Sequence, residues 1–154
     1  MLILLIFSLS SADLANYFLV ENLNFLCQCA EKIAFKSVSV QEKFFHLIEF
    51  LVHQLRYVPC KEFIAISLIL KTQNNRECCL IAVKSLLSIV KFDVVFKNVL
   101  REVGMLEALI ECLKKYTEVM KLESNKEEIE IQLGETVIYA LTELITGNSQ
   151  NAAV

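Results

Sequence analysis

The sequence predicts an all-α protein in which helices stack one after another. Apolar residues recur three and four apart through most of the chain, the period of a helix with one buried face. Turn formers are scarce: one proline and three glycines in 154 residues are far too few for the frequent reversals of a β-sandwich or barrel. Helix-starting Ser, Asn and Asp residues punctuate the pattern. With 55% hydrophobic residues, residues 1–154 can bury the core of one domain.

From Leu14, the residues Phe18, Leu19, Leu23, Leu26, Cys27, Ala30 and Ile33 form a helical stripe running to about Phe35. Ser39-Val-Gln-Glu42 reads as a capping box, in which serine and glutamate side chains satisfy exposed backbone donors at a helix start. The helix that follows carries Phe44, Ile48, Leu51, Val52 and Leu55 on one face, and Pro59 stops it. Residues 60–71 are almost wholly apolar, which period alone does not distinguish from a buried strand. With helices on both sides, a buried helix is expected.

Asn74-Asn-Arg-Glu77 is a second capping signature, with asparagine as acceptor. It opens a helix with Leu80, Val83, Leu86, Leu87 and Val90 on one side, ending near Lys91. Asp93 can cap a short helix over 94–103, and Gly104 permits the left-handed turn at its end. Another helix runs from Met105 to about Met120 through Leu106, Leu109, Ile110, Leu113 and Tyr116. Residues 121–130 hold four glutamates and two lysines and show no stripe, so 121–132 reads as an acidic, solvated linker with a cap at Ser124-Asn-Lys-Glu127. The last long helix is expected from about Gly134 to Ile145. Gly147-Asn-Ser ends it, and residues 150–154 look like the start of another.

Long helix, tight turn, short helix, glycine, helix, linker and long helix make a repeat. Val83 and Val137 are its matching positions, 54 residues apart with the linker and a little over 40 without it, inside the armadillo and HEAT range. The expectation is an armadillo/HEAT-like helical solenoid, a fragment truncated at both ends. A positive mean hydropathy of +0.51 implies that apolar surface faces neighbours outside this chain.

The run Ile81-Ala-Val-Lys-Ser-Leu-Leu-Ser-Ile-Val-Lys-Phe-Asp93, followed by residues 95–107, looks like an armadillo repeat joint: a third helix ends, a short first helix carries Arg101-Glu102, and Gly104 breaks the chain before the second helix. The wording of Phe96-Lys-Asn-Val-Leu-Arg-Glu-Val-Gly-Met-Leu-Glu107, with Gly147-Asn-Ser-Gln-Asn-Ala-Ala-Val154 after it, resembles the armadillo-like amino-terminal region of the Alfy or Blue cheese group of BEACH-domain proteins, very large scaffolds that also contain WD repeats and a FYVE zinc finger. The likeness is best over 58–116 and 140–154; residues 1–39 are recognisable only as helical. The resemblance implies a role in selective autophagy, where family members link protein aggregates to the autophagic machinery and to phosphoinositide-bearing membranes. In the family those contacts are carried by the BEACH, WD-repeat and FYVE domains towards the carboxyl end, none of which is in this chain, so no functional residue transfers.

Charge and motifs narrow the chemistry. Fifteen Lys plus Arg against 18 Asp plus Glu give a net charge of −3, which repels a phosphate backbone, so nucleic acid is not an expected partner. The opening, with eight apolar residues among the first nine, is too short for a membrane span of about 20 residues. Two readings of 1–12 stand side by side: a signal peptide cleaved after Ala12, giving a secreted or membrane-associated helical protein, or a helix of a longer repeat array. The absence of Lys or Arg before Lys32 weighs against the signal, and a cytoplasmic protein is expected. The six cysteines (Cys27, Cys29, Cys60, Cys78, Cys79, Cys112) fall in helical apolar patterns with no C-x-x-C spacing, as buried, reduced thiols do.

His46 and His53 share a helix face with Glu42 and Glu49, a set that binds metal only if it converges. That face lies opposite the apolar stripe and reads as the wet side. There is no G-x-S-x-G, glycine-rich phosphate loop or H-E-x-x-H, and neither histidine is near a cysteine in sequence, so neither an enzyme nor a cofactor is expected. The positive expectation is a protein-binding scaffold, whose partners include other proteins and the missing parts of its own chain, with self-association when isolated. Lys84, Lys91, Lys97 and Arg101 form the candidate exposed surface for an acidic partner, set against the plainer reading of an ordinary solvated face.

Overall fold

The structure, a computed structural model, describes residues 36–55, 58, 60–72, 75–122 and 128–153, together with residues 29, 32 and 33. The stripe expected over 14–35 lies almost wholly outside the described residues, as do 1–12, Pro59 and the cap expected at 124–127. Within that span Cys29, Lys32 and Ile33 are helical, and Ile33, the one stripe residue described, is buried. Among the described residues there are seven helices and no strand, so the chain is all-α.

Helix α1 (Val38–Leu55) starts one residue before the predicted cap, Ser39. Ser39 lies inside it; the Ser37 carbonyl accepts from the Val40 and Gln41 amides at 3.0 Å each, and Gln41 Nε2 reaches back to the Lys36 carbonyl at 3.0 Å. The buried set Phe44, Phe45, Leu47, Ile48, Leu51 and Val52 covers more than one face. Helix α2 (Cys60–Thr72) settles the apolar run as a helix. Phe63, Ile66, Ile69 and Leu70 are inside, whereas Ile64 and Leu68, one turn apart, are exposed.

Helix α3 (Arg76–Phe92) is capped by Asn75, whose side chain accepts from the Glu77 and Cys78 amides at 2.9 and 3.3 Å. The acceptor is thus the second asparagine of the predicted pair. A two-residue link leads to the short helix α4 (Val95–Glu102), where Asp93 Oδ1 accepts from the Val95 amide at 3.0 Å as expected. Gly104, at φ +72°, turns the chain into α5 (Met105–Leu122); a side chain here would meet the steric penalty of the left-handed region.

Helix α6 (Glu128–Ile145) begins six residues before the predicted start, so 128–132 is helix and not linker. The missed signal is apolar: Leu133, Val137, Ala140 and Leu144 are buried at helical spacing, with Ile129 packed against the core. Glu128 and Glu130 occupy the first turn, where the helix dipole favours negative charge. Gly147, at φ +69°, terminates α6 as predicted. Helix α7 (Ser149–Ala152) follows, capped by Asn148 Oδ1 accepting from the Asn151 amide at 3.1 Å.

The helices pack as two sets. Long helix α3 lies between α1 and α6, while α2 packs against α5. The sets meet where α2 touches α3 and α5 touches α6, and α4 bridges to α2, α3, α5 and α7. Phe63 of α2 and Phe96 of α4 meet edge to face, ring centroids 6.1 Å apart, worth about 0.5–1.5 kcal/mol beyond their burial. No described helix is long and apolar enough to cross a membrane.

The α5–α6 contact is close enough that a Cβ at Gly134 would fall within contact distance of the Tyr116 ring. Alanine elsewhere in a helix interior gains about 1 kcal/mol over glycine, whereas overpacking costs about 1–3 kcal/mol. Gly134→Ala should therefore destabilise the wild-type chain and stabilise a Tyr116→Ala chain. Denaturant midpoints of the four proteins check this; the same sign in both backgrounds would contradict the close contact.

Candidate functional site: a polar joint between the short helices

The densest polar network lies where α4 meets α7 and the end of α6. Lys97 is buried, with 7% exposure, because its stem follows α4 inward while its ammonium donates to the Thr146 carbonyl at 2.8 Å and stands 3.4 Å from Glu143 Oε1. That carbonyl belongs to the C-terminal end of α6, where backbone acceptors lack helical partners and positive charge is favoured. Asn151, 2% exposed, donates through Nδ2 to the Lys97 carbonyl at 3.0 Å and the Leu144 carbonyl at 2.9 Å. Its Oδ1 accepts from Arg101 Nη1 at 3.3 Å. The same Arg101 nitrogen reaches Gln150 Oε1 at 2.6 Å, and Asn148 Nδ2 donates to Asn98 Oδ1 at 2.8 Å.

This corrects the predicted partner surface. Lys97 is buried and Arg101 is half-buried and hydrogen-bonded to α7, so neither belongs to a free basic face. Lys84 and Lys91 remain exposed on α3. Sequence reasoning missed Glu143 and Asn151. The one available signal was the Asn148-Ser-Gln-Asn151 spacing after Gly147, which is that of a cap and the amide it accepts.

A second polar contact ties α3 to α6. Arg76 Nη2 stands 2.5 Å from Glu130 Oε1 without the alignment of a hydrogen bond. Glu130 is 1% exposed, and the Arg76 side chain is 38% exposed. Burial, then the charges of Glu130 and Glu135, push the nearby Tyr116 phenol up.

Four of the described thiols offer little nucleophilic chemistry. Burial pushes Cys79 up to about 12, with the neighbouring Cys112 and Cys78 adding to the effect and Lys115 opposing it. Burial likewise raises Cys112, Cys78 and Cys29. A thiol that holds its proton is a poor nucleophile and a poor metal ligand at neutral pH. Cys60 departs from the expectation of burial: it opens α2 and is exposed. Cys27 lies outside the described residues.

His46 is exposed, as the wet-face reading expects, but His53 is not simply wet. Its ring packs on Phe92 of α3, centroids 4.6 Å apart, and its Nε2 is buried without a hydrogen-bond partner. Among the described residues no three His, Cys, Asp or Glu side chains converge as a metal site.

What the geometry presents is a packed joint and surrounding surfaces. Over 146 residues, 90% of the chain, the sequence is 34% identical to WD repeat- and FYVE domain-containing protein 4 of Mus musculus. The Homo sapiens protein of that name is 32% identical over the same span. The chain resembles a segment of the WD repeat- and FYVE domain-containing proteins. This bears out the likeness read from residues 96–107 and 147–154, and extends it beyond 58–116 and 140–154. The chain spans about 5% of the length of these relatives. No protein-family model and no solved structure matches it.

Three outcomes follow from the site. Asn151→Ala leaves the Lys97 and Leu144 carbonyls without their side-chain donor, each a loss of about 1–3 kcal/mol if water does not replace it. Faster amide hydrogen exchange confined to α7 and the end of α6 is expected, because terminal elements open locally; unchanged protection there would show the joint to be slack. Among the thiols at described positions, Cys60 should react first with a thiol reagent at neutral pH, Cys60→Ser should remove that reaction, and Cys78, Cys79 and Cys112 should react only on unfolding. Because Cys79 keeps its proton to higher pH folded than unfolded, its contribution to stability is present at neutral pH and lost as pH rises from the ordinary thiol value of 9.0 towards about 12.

Proposed function

We propose that the chain is a non-catalytic, protein-binding segment of a large BEACH-family scaffold, cytoplasmic and serving selective autophagy of protein aggregates. Its helices are read as armadillo-like: α3, α4, α5 and α6 as successive parts of one repeating unit, and α7 as the short helix of the next. The observation that carries this reading is the α4–α7 joint. After one full unit the chain returns to place short helix beside short helix, each with an Asx residue accepting at its start. Stacking of like elements builds long surfaces that bind partners without catalytic geometry.

The similarity to proteins whose names specify WD repeats and a FYVE domain supports placement in a multidomain scaffold. Aggregate and membrane contacts are assigned, on the family resemblance, to domains outside this chain. Exposed Lys84 and Lys91, two turns apart on α3, are the surviving part of the candidate surface for an acidic partner.

Deleting residues 36–153 from the full-length protein should remove a defined set of cross-linked protein partners and slow aggregate clearance, while Lys84→Glu with Lys91→Glu should remove a subset. An unchanged set of partners and unchanged clearance after the deletion would overturn the reading.

A further inference from the structure

Helix α6 buries one side against α3 and another against α5, yet a third side is apolar and open. Ile131, Ile138 and Ile145 are 41%, 51% and 41% exposed, and Tyr139 beside them is 64% exposed. The three isoleucines are seven residues apart, so they drift only about 20° per step around the helix. Together with Thr142 they make a straight strip about 21 Å long at 1.5 Å per residue.

The charges that α6 itself places beside this strip are all negative. Helix α6 contains four glutamates and no Lys, Arg or His; Glu128 and Glu135 are exposed beside the strip, whereas Glu143 already faces Lys97. On its buried side the same helix already meets a basic residue of a packed helix, Arg76 of α3 at Glu130. The left-handed turn at Gly147 sends α7 onto α4, with which the Asn151, Arg101 and Asn148 side chains engage, so α7 does not account for the strip.

Resting on the scaffold reading above, we infer that the Ile131–Ile138–Ile145 face of α6 is a docking site for one amphipathic helix, with apolar side chains three and four apart and Lys or Arg along its edges. An apolar stripe at heptad spacing fits the side chains of a facing helix rather than an extended peptide, whose side chains alternate every two residues. Acidic rims select a basic-edged helix and reject an acidic one. They also disfavour an anionic membrane surface, which attracts basic faces. A second copy of α6 would bring one acidic helix against another, which is why the occupant is assigned as basic.

Two synthetic helical peptides of about 20 residues, long enough to cover the strip, test this against the intact 154-residue chain by fluorescence anisotropy. Both carry leucines at heptad core positions; one has lysines along its edges and the other glutamates. The lysine-edged peptide should bind, weaken with added salt, and bind at least about tenfold more tightly than its glutamate counterpart. Ile138→Asp, at an exposed position, should leave far-UV circular dichroism unchanged and weaken binding at least about tenfold. Ile131→Asp serves as the second variant if the first fails to fold. Glu128→Lys with Glu135→Lys should reverse the preference between the peptides.

Equal binding of both peptides, binding of neither, or indifference to both aspartate variants would overturn the inference. So would a dimer in sedimentation velocity that Ile138→Asp dissolves, which would assign the strip to a second copy. If the peptides fail while deletion of residues 36–153 still removes partners from the full-length protein, only the α6 assignment falls. If that deletion removes none, the scaffold reading falls whatever the peptides do.

Discussion

The structure depends on helix α3 having almost no side to spare. Cys78, Cys79, Leu80, Ala82, Val83, Ser85, Leu86, Ile89 and Val90 are all buried, a spread too wide for one neighbour to cover. Such a helix needs packing partners on both flanks and beneath it, which α1, α6 and α2 provide. Each fully buried Val, Leu or Ile contributes about 1.5–3 kcal/mol relative to exposure. The order of the helices follows from this need: an element apolar on several sides is stable only in the middle of a row, and the elements on either side acquire the same requirement in turn.

Stacking helices in rows also buries their ends, and helix ends carry backbone groups without helical partners. At the described joints these groups meet short polar side chains. Asn75 and Asn148 accept from amides at helix starts, Asp93 does so ahead of α4, and Asn151 and Lys97 donate to carbonyls where α6 ends. A buried amide such as Asn151 is tolerable because both nitrogen protons and the oxygen have partners. Lys115 of α5 does similar work across helices, donating to the Lys71 carbonyl at the end of α2.

This division between apolar rows and polar joints explains what could be read in advance. Helix α3 was legible because its stripe and its asparagine cap are local signals, and the link and glycine around α4 were legible for the same reason. Helix boundaries were less so: choosing Ser37 over Ser39, or Asn75 over its neighbour, depends on which register buries the downstream apolar residues. The start of α6 was hidden because Glu130 reads as solvated until Arg76, 54 positions earlier, is placed beside it. Lys97 and Arg101 read as surface because side-chain burial is a property of the neighbouring unit. Their partners, Glu143, Gln150 and Asn151, lie 46 to 50 residues away. The opposite error concerns Cys60, whose apolar neighbours suggest burial although the residue opens its helix and faces out.

Charge and hydrophobicity are therefore arranged against the simplest expectation for a surface. Lys97, Glu130 and the Arg101 hydrogen bonds hold helices together inside the molecule, whereas Ile64, Leu68, Ile131, Ile138 and Tyr139 stand outside it. Scattered apolar residues on a surface need no explanation, but a row at heptad spacing along one helix is an arrangement a facing helix can match. Partner selection then turns on the rim. An apolar stripe binds any apolar stripe; a rim of glutamates on a helix without a single basic residue adds the repulsion that excludes acidic competitors, and so converts adhesion into choice.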